Sequence, residues 1–361
     1  MNQNKLSRLK LHGFKSIQEC DLELTALNVL IGANGAGKSN LIGFFQLVQQ
    51  LLTGRLQRYV SKHGGPDSLL HSGRKHTEQL SAEIYFGHNC YKFILKPTQD
   101  NRLVFASETL SCDNGEDWQS ESGHFESKVE LQDAGSSIYD VTVPFMKNWR
   151  VYHFNDTDDT APLRQWHGIN DNLYLRPDAR NLAAFLAHLR DQHPRHYNRI
   201  VKTVRLVAPF FGGFLLRPRP NNENQIELEW TEEGEDTPCK AHLLSDGTLR
   251  FICLATILIQ PEELQPETIL IDEPELGLHP FAIAVLASLL HSTSKRCQII
   301  ASTQSTDLLN EFSPEHVIVA DRKDGATHLQ RLNAKALETW LSDHSLGELW
   351  EKNVLGGRPA R

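Results

Sequence analysis

The chain has 361 residues, 40% hydrophobic and with 23 glycines, an ordinary globular composition that excludes disordered, collagen-like and fibrous chains. Its formal net charge of −8 speaks against a protein that coats nucleic acid or an anionic membrane. That exclusion loses its force because residues 221–280 hold fourteen acids against two bases, leaving the rest of the chain net positive.

Six cysteines at positions 20, 90, 112, 239, 253 and 297 form no CxxC pair, so free thiols in a reducing compartment are expected. The opening MNQNKLSRLKLHGF has no apolar core of signal-peptide length. The most apolar run, Leu249 to Ile259, is too short and too interrupted to span a bilayer. A soluble, cytoplasmic chain with no membrane partner is expected.

In chain order, Leu6 to Leu11 and Leu22 to Ile31 read as strands, and Gly43 to Leu52 carries a helical period. Between about 79 and 145 the segments SAEIYF, YKFILK, LVFASETL, KVELQ and YDVTV predict an antiparallel sheet. From Asp178 the period becomes helical. Leu182, Phe185, Leu186 and Leu189 share one face, with Asp178 as the expected N-cap and Pro194 as the stop.

A second helix would turn Tyr197, Ile200, Val201, Val204 and Val207 inward and Arg195, Arg199 and Lys202 outward. Residues 221–238 read as an exposed loop or a boundary. After Trp230, the apolar strands TILID, CQIIAS and HVIVAD alternate with helical stretches, the mark of a parallel, helix-covered sheet. Trp340 and Trp350, in the closing helical segment, read as core or subunit-docking residues.

The clearest chemical signal is Gly32-Ala-Asn-Gly-Ala-Gly-Lys-Ser39, which fits GxxxxGK[ST]. An apolar strand, LNVLI, delivers the loop and an apolar-periodic helix leaves it. Glycines let backbone N–H groups turn onto phosphate oxygens, and the helix N-terminus adds its positive dipole end. Asn34, Gly35, Ala36, Gly37, Lys38, Ser39 and Asn40 are the candidate ATP contacts, with Lys38 reaching the β- and γ-phosphates and Ser39 ligating Mg²⁺.

A second signal is the buried-type strand Thr268-Ile-Leu-Ile-Asp272 running into Glu273-Pro-Glu275. Asp272 would hold the Mg²⁺ shell and Glu273 would polarise the attacking water as general base. Glu275 receives no role and reads as a surface residue. The run His153 to Asp159 is a dense polar cluster that reads first as a turn built on Asx hydrogen bonds, and otherwise as a nucleotide cap or partner contact. Residues 190–219 carry seven Lys/Arg and one acid, a solvated helix face or a surface for nucleic-acid phosphates.

Leu244-Ser-Asp-Gly-Thr248 opens an apolar helix ahead of the carboxylates. With the phosphate loop, DEPELGLHP and Thr303-Gln-Ser305, the chain resembles ABC-class ATPases of the RecF/SMC/OLD type, and more narrowly the small prokaryotic predicted-ATPase (AAA family) group. LHGFKSI (11–17) and SLGELWEKNVLGGRP (345–359) extend the resemblance to nearly the whole chain.

The resemblance implies an α/β P-loop NTPase, an ABC-ATPase head with an antiparallel lobe and a mostly helical insertion. It implies one discontinuous domain over 1–361: an N-lobe 1–145, an insertion 146–215, and a C-lobe 216–361 with the signature, carboxylate and switch motifs. No sustained heptad run is present, so no long coiled coil is expected.

The resemblance also implies that Ser245 and the Gly247 backbone contact the γ-phosphate of ATP held by a second subunit, so that ATP joins a homodimer. Asp246 stands where the transporter-type LSGGQ has glycine, and its side chain must therefore turn away from that phosphate. Gln304 occupies a switch position where many relatives have His; it can hydrogen-bond the γ-phosphate or the water but cannot become a cation. Lys15 and Ser16 resemble N-terminal nucleotide contacts of the family.

Three functions compete. The first is an ATPase that dimerises on ATP and controls a separate effector, such as a nuclease, in a prokaryotic anti-phage defence complex. The second is a RecF-like DNA-repair ATPase that binds DNA directly. The third is a transporter-type nucleotide-binding subunit, disfavoured by the absent LSGGQ and the C-terminal extension.

Overall fold

The computed structural model describes residues 5–113, 117–129, 137–154, 156–158 and 160–357. They form two compact units, Met1–Val151 with Phe312–Arg361, and Tyr152–Glu311.

The first unit is built on an antiparallel sheet whose strands lie in the order Ile17–Glu23, Leu6–Phe14, Leu80–Phe86, Asn89–Pro97, Leu103–Cys112, Asp117–Gln119. Strict alternation in Leu80–Phe86 turns Leu80, Ala82, Ile84 and Phe86 to the core, as a half-buried sheet requires. The helix Lys38–Leu52 belongs to this core. Phe44 meets Phe14 edge-on at 5.8 Å and stacks on Phe93 at 6.4 Å, while Phe45 packs edge-on against Trp149 at 5.0 Å. Burying one such ring contributes roughly 1.5–3 kcal/mol, so this helix is held by its apolar face.

Leu27–Ile31, buried along its whole length, runs parallel to Val317–Lys323, which pairs antiparallel with Ala326–Arg331. The expected strand YDVTV is instead part of a helix, Ser137–Lys147. The alternation that suggested a strand spans only five residues. Among the described side chains of this segment, Thr142, Val143 and Met146 are buried, a helical spacing. Most of the expected strand KVELQ lies outside the described residues.

In the second unit the two helices are Leu182–Gln192 and Pro194–Val207. Leu182, Phe185, Leu186 and Leu189 are buried as expected. The N-cap is Asn181 and not Asp178. Asn181 is buried and ties down the preceding loop, accepting from the Arg176 N–H and donating to the Asp171 and Tyr174 carbonyls. Asp178 pairs with Arg180 instead. On the second helix Ile200, Thr203 and Val204 are buried, and Arg195, Arg199 and Lys202 are exposed.

Residues 221–238 are not an open loop. They carry the strands Asn222–Ile226 and Glu229–Glu232, with Ile226, Leu228 and Trp230 buried. Thr268–Asp272 and Gln298–Thr303 pair in parallel, joined through the helix Pro280–Ser294. That crossover is the arrangement expected of alternating apolar strands and helices. All six cysteines are free, and among the described residues no helix is long and apolar enough to cross a membrane.

Candidate functional site

In the first unit, Leu27–Ile31 ends at Gly32 and the helix begins at Lys38, so the loop between them is short and sharply turned. Gly35 and Gly37 have φ of 77° and 105°, left-handed values that favour glycine. A Cβ on Gly37 would fall 2.0 Å from Thr327 Oγ1. Lys38 is 5% exposed, and its Nζ donates to the carbonyls of Gly32 at 2.6 Å and Ala33 at 3.1 Å. Asn34, Gly35 and Ser39 face solvent, whereas Ala36 is buried.

Groups far away in sequence support this loop. Asn40 Nδ2 donates to Ser16 Oγ at 2.6 Å, and Thr327 Oγ1 donates to the Ala36 carbonyl at 2.8 Å. Since the Thr327 proton is committed to Ala36, the 2.7 Å contact between the two hydroxyls has Ser16 Oγ donating to Thr327 Oγ1. The result is a relay, Asn40 to Ser16 to Thr327 to Ala36, across both ends of the loop. Ser16's hydroxyl is therefore engaged within the loop's own support.

The Ala33 N–H donates to the Gly357 carbonyl at 2.8 Å. The C-terminal segment reaches that point through the helix Leu346–Glu351, opened by a Ser345/Glu348 capping box and buried at Leu346, Leu349 and Trp350. Trp340 is exposed. Lys15 occupies the tight turn after Leu6–Phe14 with φ of 48°, its Nζ 5.4 Å from the Phe14 ring centroid. A Cβ on Gly43 would lie 3.5 Å from that Nζ, so Lys15 rests against the helix one turn beyond Ser39. Burial lowers the pKa of this lysine.

In the second unit the strand Thr268–Asp272 delivers the carboxylates. Asp272 Oδ1 accepts from Ser302 Oγ, and its Oδ2 lies 3.8 Å from His153 Nδ1. Glu273 has φ of 48°, a left-handed value that costs a non-glycine residue about 1–2 kcal/mol. It is held there by its N–H donating to the Ser302 carbonyl and by its own carbonyl accepting from Leu276. The Gln304 amide Nε2 donates to Glu273 Oε1, so the two residues assigned to water and phosphate chemistry touch.

Glu275 is not a surface residue: it is 9% exposed. Its Oε1 accepts from Thr303 Oγ1 at 2.6 Å and from the Gln304 N–H at 3.1 Å. Burial, with a smaller push from the Glu273 charge, raises its pKa. Sequence reasoning missed it because the donors that hold it, Thr303 and the Gln304 N–H, lie 28 and 29 residues away along the chain.

Ser245 caps the helix Asp246–Ile259, its Oγ accepting from the Thr248 N–H at 3.2 Å. Asp246 does turn aside, its Oδ1 accepting from Arg164 Nη2 at 2.8 Å. The Arg164 side chain is 5% exposed and also donates to the carbonyls of Thr157 and Ala241. A Cβ on Gly247 would fall 2.2 Å from the Gly277 carbonyl, so glycine is needed where the signature helix meets the turn after the carboxylates. Arg250 fastens the same junction, donating to the carbonyls of Leu276 and Phe154. In the 153–159 cluster, Asp158 accepts from the Thr160 N–H and hydroxyl, an Asx turn, while Asn155 and Asp159 lie outside the described residues.

The loop residues fit a polyphosphate. The Gly35 Cβ position is open to 4 Å, the loop runs directly into the N-terminus of the helix, whose dipole favours an anion, and Ser39 is exposed. The Ser39 hydroxyl and the Asp272 carboxylate are each a hard oxygen donor of the kind Mg²⁺ takes. Among the described residues no group of three or more His, Cys, Asp or Glu could hold a metal unaided.

Thr327 and Arg164 carry no signal in the sequence, while Gly357 and Ser302 lie in segments that stand out there without a role for either residue. Each acts on a motif distant along the chain.

One solved structure, a crystal structure of the SmcHead bound to the C-winged helix domain of ScpA, superposes with a TM-score of 0.59 at 17% identity, covering 92% of this chain and 99% of that one. An Smc head domain with an extended coiled coil, bound to the C-terminal domain of ScpA derived from Pyrococcus furiosus, gives 0.54 at 16% identity, covering 94% and 98%. The energy-coupling factor transporter ATP-binding protein EcfA of Methanocaldococcus jannaschii is 34% identical over 83 residues, which is 23% of this chain and only 28% of that relative's length. The α/β fold is thus that of a P-loop ATPase head of the SMC kind. The family model described as "AAA domain, putative AbiEii toxin, Type IV TA system" matches residues 27–310, from the strand before the phosphate loop to beyond Gln304, and the chain belongs to this family of ABC-class ATPases of the RecF/SMC type.

Proposed function

We propose that the chain binds ATP with Mg²⁺, dimerises on it, hydrolyses it, and through that cycle controls a separate effector protein. The observation that carries this reading is the contact of Gln304 with Glu273 at the end of the carboxylate strand, in a chain whose phosphate loop is open at Gly35 and Ser39.

Lys38 exchanges its two carbonyl acceptors for phosphate oxygens, a charge-assisted replacement that favours the nucleotide. Backbone N–H groups of Gly35 to Ser39 cradle the phosphates. Ser39 and Asp272 would serve as protein ligands of Mg²⁺, which would neutralise charge on the transferred phosphoryl group. Glu273, its carboxylate oriented by the Gln304 amide, accepts a proton from the attacking water. Gln304 remains neutral and serves as a donor.

The signature helix supports the dimerisation part of this reading. The Ser245 hydroxyl can accept from Thr248 and donate to a phosphate at once, and the Gly247 backbone lies at the same helix N-terminus. Leu243, Leu276 and Phe281 are exposed around that end, apolar surface that a second subunit would cover. Direct DNA binding is the second reading, favoured by the exposed row Arg195, Arg199 and Lys202.

Two variants test the proposal. Lys38→Ala should abolish ATP binding, measured by equilibrium titration; unchanged affinity removes the phosphate-loop assignment. Glu273→Gln should bind ATP, lose turnover and accumulate as an ATP-held dimer in sedimentation. A strictly monomeric variant at saturating ATP sinks the dimer.

A further inference from the structure

We propose that Glu275 is a positioning residue for hydrolysis: its buried Oε1 fixes Gln304, and Gln304 in turn holds Glu273 in the geometry of a general base. The proposal rests on the reading of Glu273 as that base.

Three contacts form one chain of command at the ends of two parallel strands. Glu275 Oε1 accepts from the Gln304 N–H at 3.1 Å and from Thr303 Oγ1 at 2.6 Å, and Gln304 Nε2 donates to Glu273 Oε1. The Thr303 hydroxyl also accepts from the Ser305 N–H at 2.9 Å, so both residues flanking Gln304 are tied to this point. Without Glu275 the backbone of Gln304 loses its acceptor, and the amide that orients Glu273 swings on an unanchored residue.

The burial of Glu275 argues for such a role. A carboxylate out of water is costly unless a cation or several donors compensate it. Here Oε1 has two donors, while Oε2 is buried and has no hydrogen-bond partner among the described residues. Both donors converge on Oε1, so the carboxyl is held through that one oxygen. Burial raises its pKa, which favours the uncharged form relative to a solvated glutamate. What Glu275 contributes is therefore an acceptor, and glutamine, with its own Oε1, supplies the same one.

The test is a set of variants assayed for turnover, with the Gln304 side-chain amide followed by NMR. Glu275→Leu should lower kcat roughly 10- to 100-fold with the KM for ATP unchanged, the size expected when one or two orienting hydrogen bonds are lost. Glu275→Gln should recover most of that loss. Because Glu275 acts through Gln304, adding Glu275→Leu to Gln304→Ala should cost no more than about twofold beyond Gln304→Ala alone. In the absence of nucleotide, the Gln304 amide resonances should shift or broaden in Glu275→Leu and stay in place in Glu275→Gln.

Should Glu275→Leu fail to fold, Glu275→Asp decides the matter. It withdraws the acceptor by one methylene and should lose kcat where Glu275→Gln does not. Wild-type kcat in Glu275→Leu or Glu275→Asp overturns the proposal, as do losses that multiply with Gln304→Ala. If those fail while Glu273→Gln is inactive, only the role of Glu275 falls. If Glu273→Gln itself turns over normally, the base assignment falls and this proposal with it.

Discussion

Thr327→Val removes one oxygen from the support of the phosphate loop and leaves its shape nearly intact. Thr327 is 1% exposed. The substitution deletes its bond to the Ala36 carbonyl and the acceptor of the Ser16 hydroxyl, while the backbone bond from Thr327 N to the Ser16 carbonyl survives. Each lost hydrogen bond is worth about 0.5–1.5 kcal/mol, and a buried carbonyl left unpaired sets the upper end, so a loss of about 1–3 kcal/mol is expected. A methyl against the Ala36 carbonyl offers no compensation. Thr327→Ser keeps the oxygen and should lose less.

Chemical denaturation followed by fluorescence reads the stability change, and titration with a fluorescent ATP analogue reads its consequence. If about half the loss falls on the order of the loop, ATP affinity should drop roughly threefold to tenfold. A stability change below about 0.5 kcal/mol with unchanged affinity would refute the claim that this relay shapes the loop.

Two further predictions concern the second unit. Arg164→Ala removes the Arg164 partner of Asp246 and one donor each from the carbonyls of Thr157 and Ala241, the latter keeping the Leu244 N–H. The ATP-held dimer of Glu273→Gln should weaken roughly 5- to 30-fold in this background, and adding Asp246→Gly should restore part of it. Equal dimerisation with and without Arg164, by sedimentation, would remove the charge argument. The pKa of Glu275 is raised in the folded chain, first by burial and then by Glu273. A raised carboxyl pKa contributes stability that is full below the ordinary glutamate range and lost as pH rises through the folded value. Wild type should therefore lose thermal stability relative to Glu275→Gln as pH rises from that range toward neutrality. Parallel curves would contradict a raised pKa.

Sequence alone determined what is contiguous in the chain. Gly32 to Ser39 lies between an apolar strand and an apolar-periodic helix, and Asp272 and Glu273 end a buried strand; in each case backbone geometry over a few residues sets the chemistry. The inward faces of Leu80–Phe86 and Leu182–Gln192 were equally legible, because periods of two and of 3.6 write burial directly into residue order.

Short ambiguous stretches were not. YDVTV alternates like a strand over five residues, and only its packing at Thr142, Val143 and Met146 makes it a helix. Asp178 is a sound cap by residue type, yet Asn181 takes the place because the loop from Asp171 to Arg176 folds onto it.

Tertiary structure alone decided which groups support the motifs. Thr327 reaches the loop from 291 residues beyond Ala36, and Gly357 accepts from Ala33 across nearly the whole chain. It also decided the state of Glu275. A carboxyl group's surroundings set whether it is a solvated anion or a buried acceptor, and here those surroundings come from Thr303, at the end of a neighbouring strand, and Gln304 just beyond it.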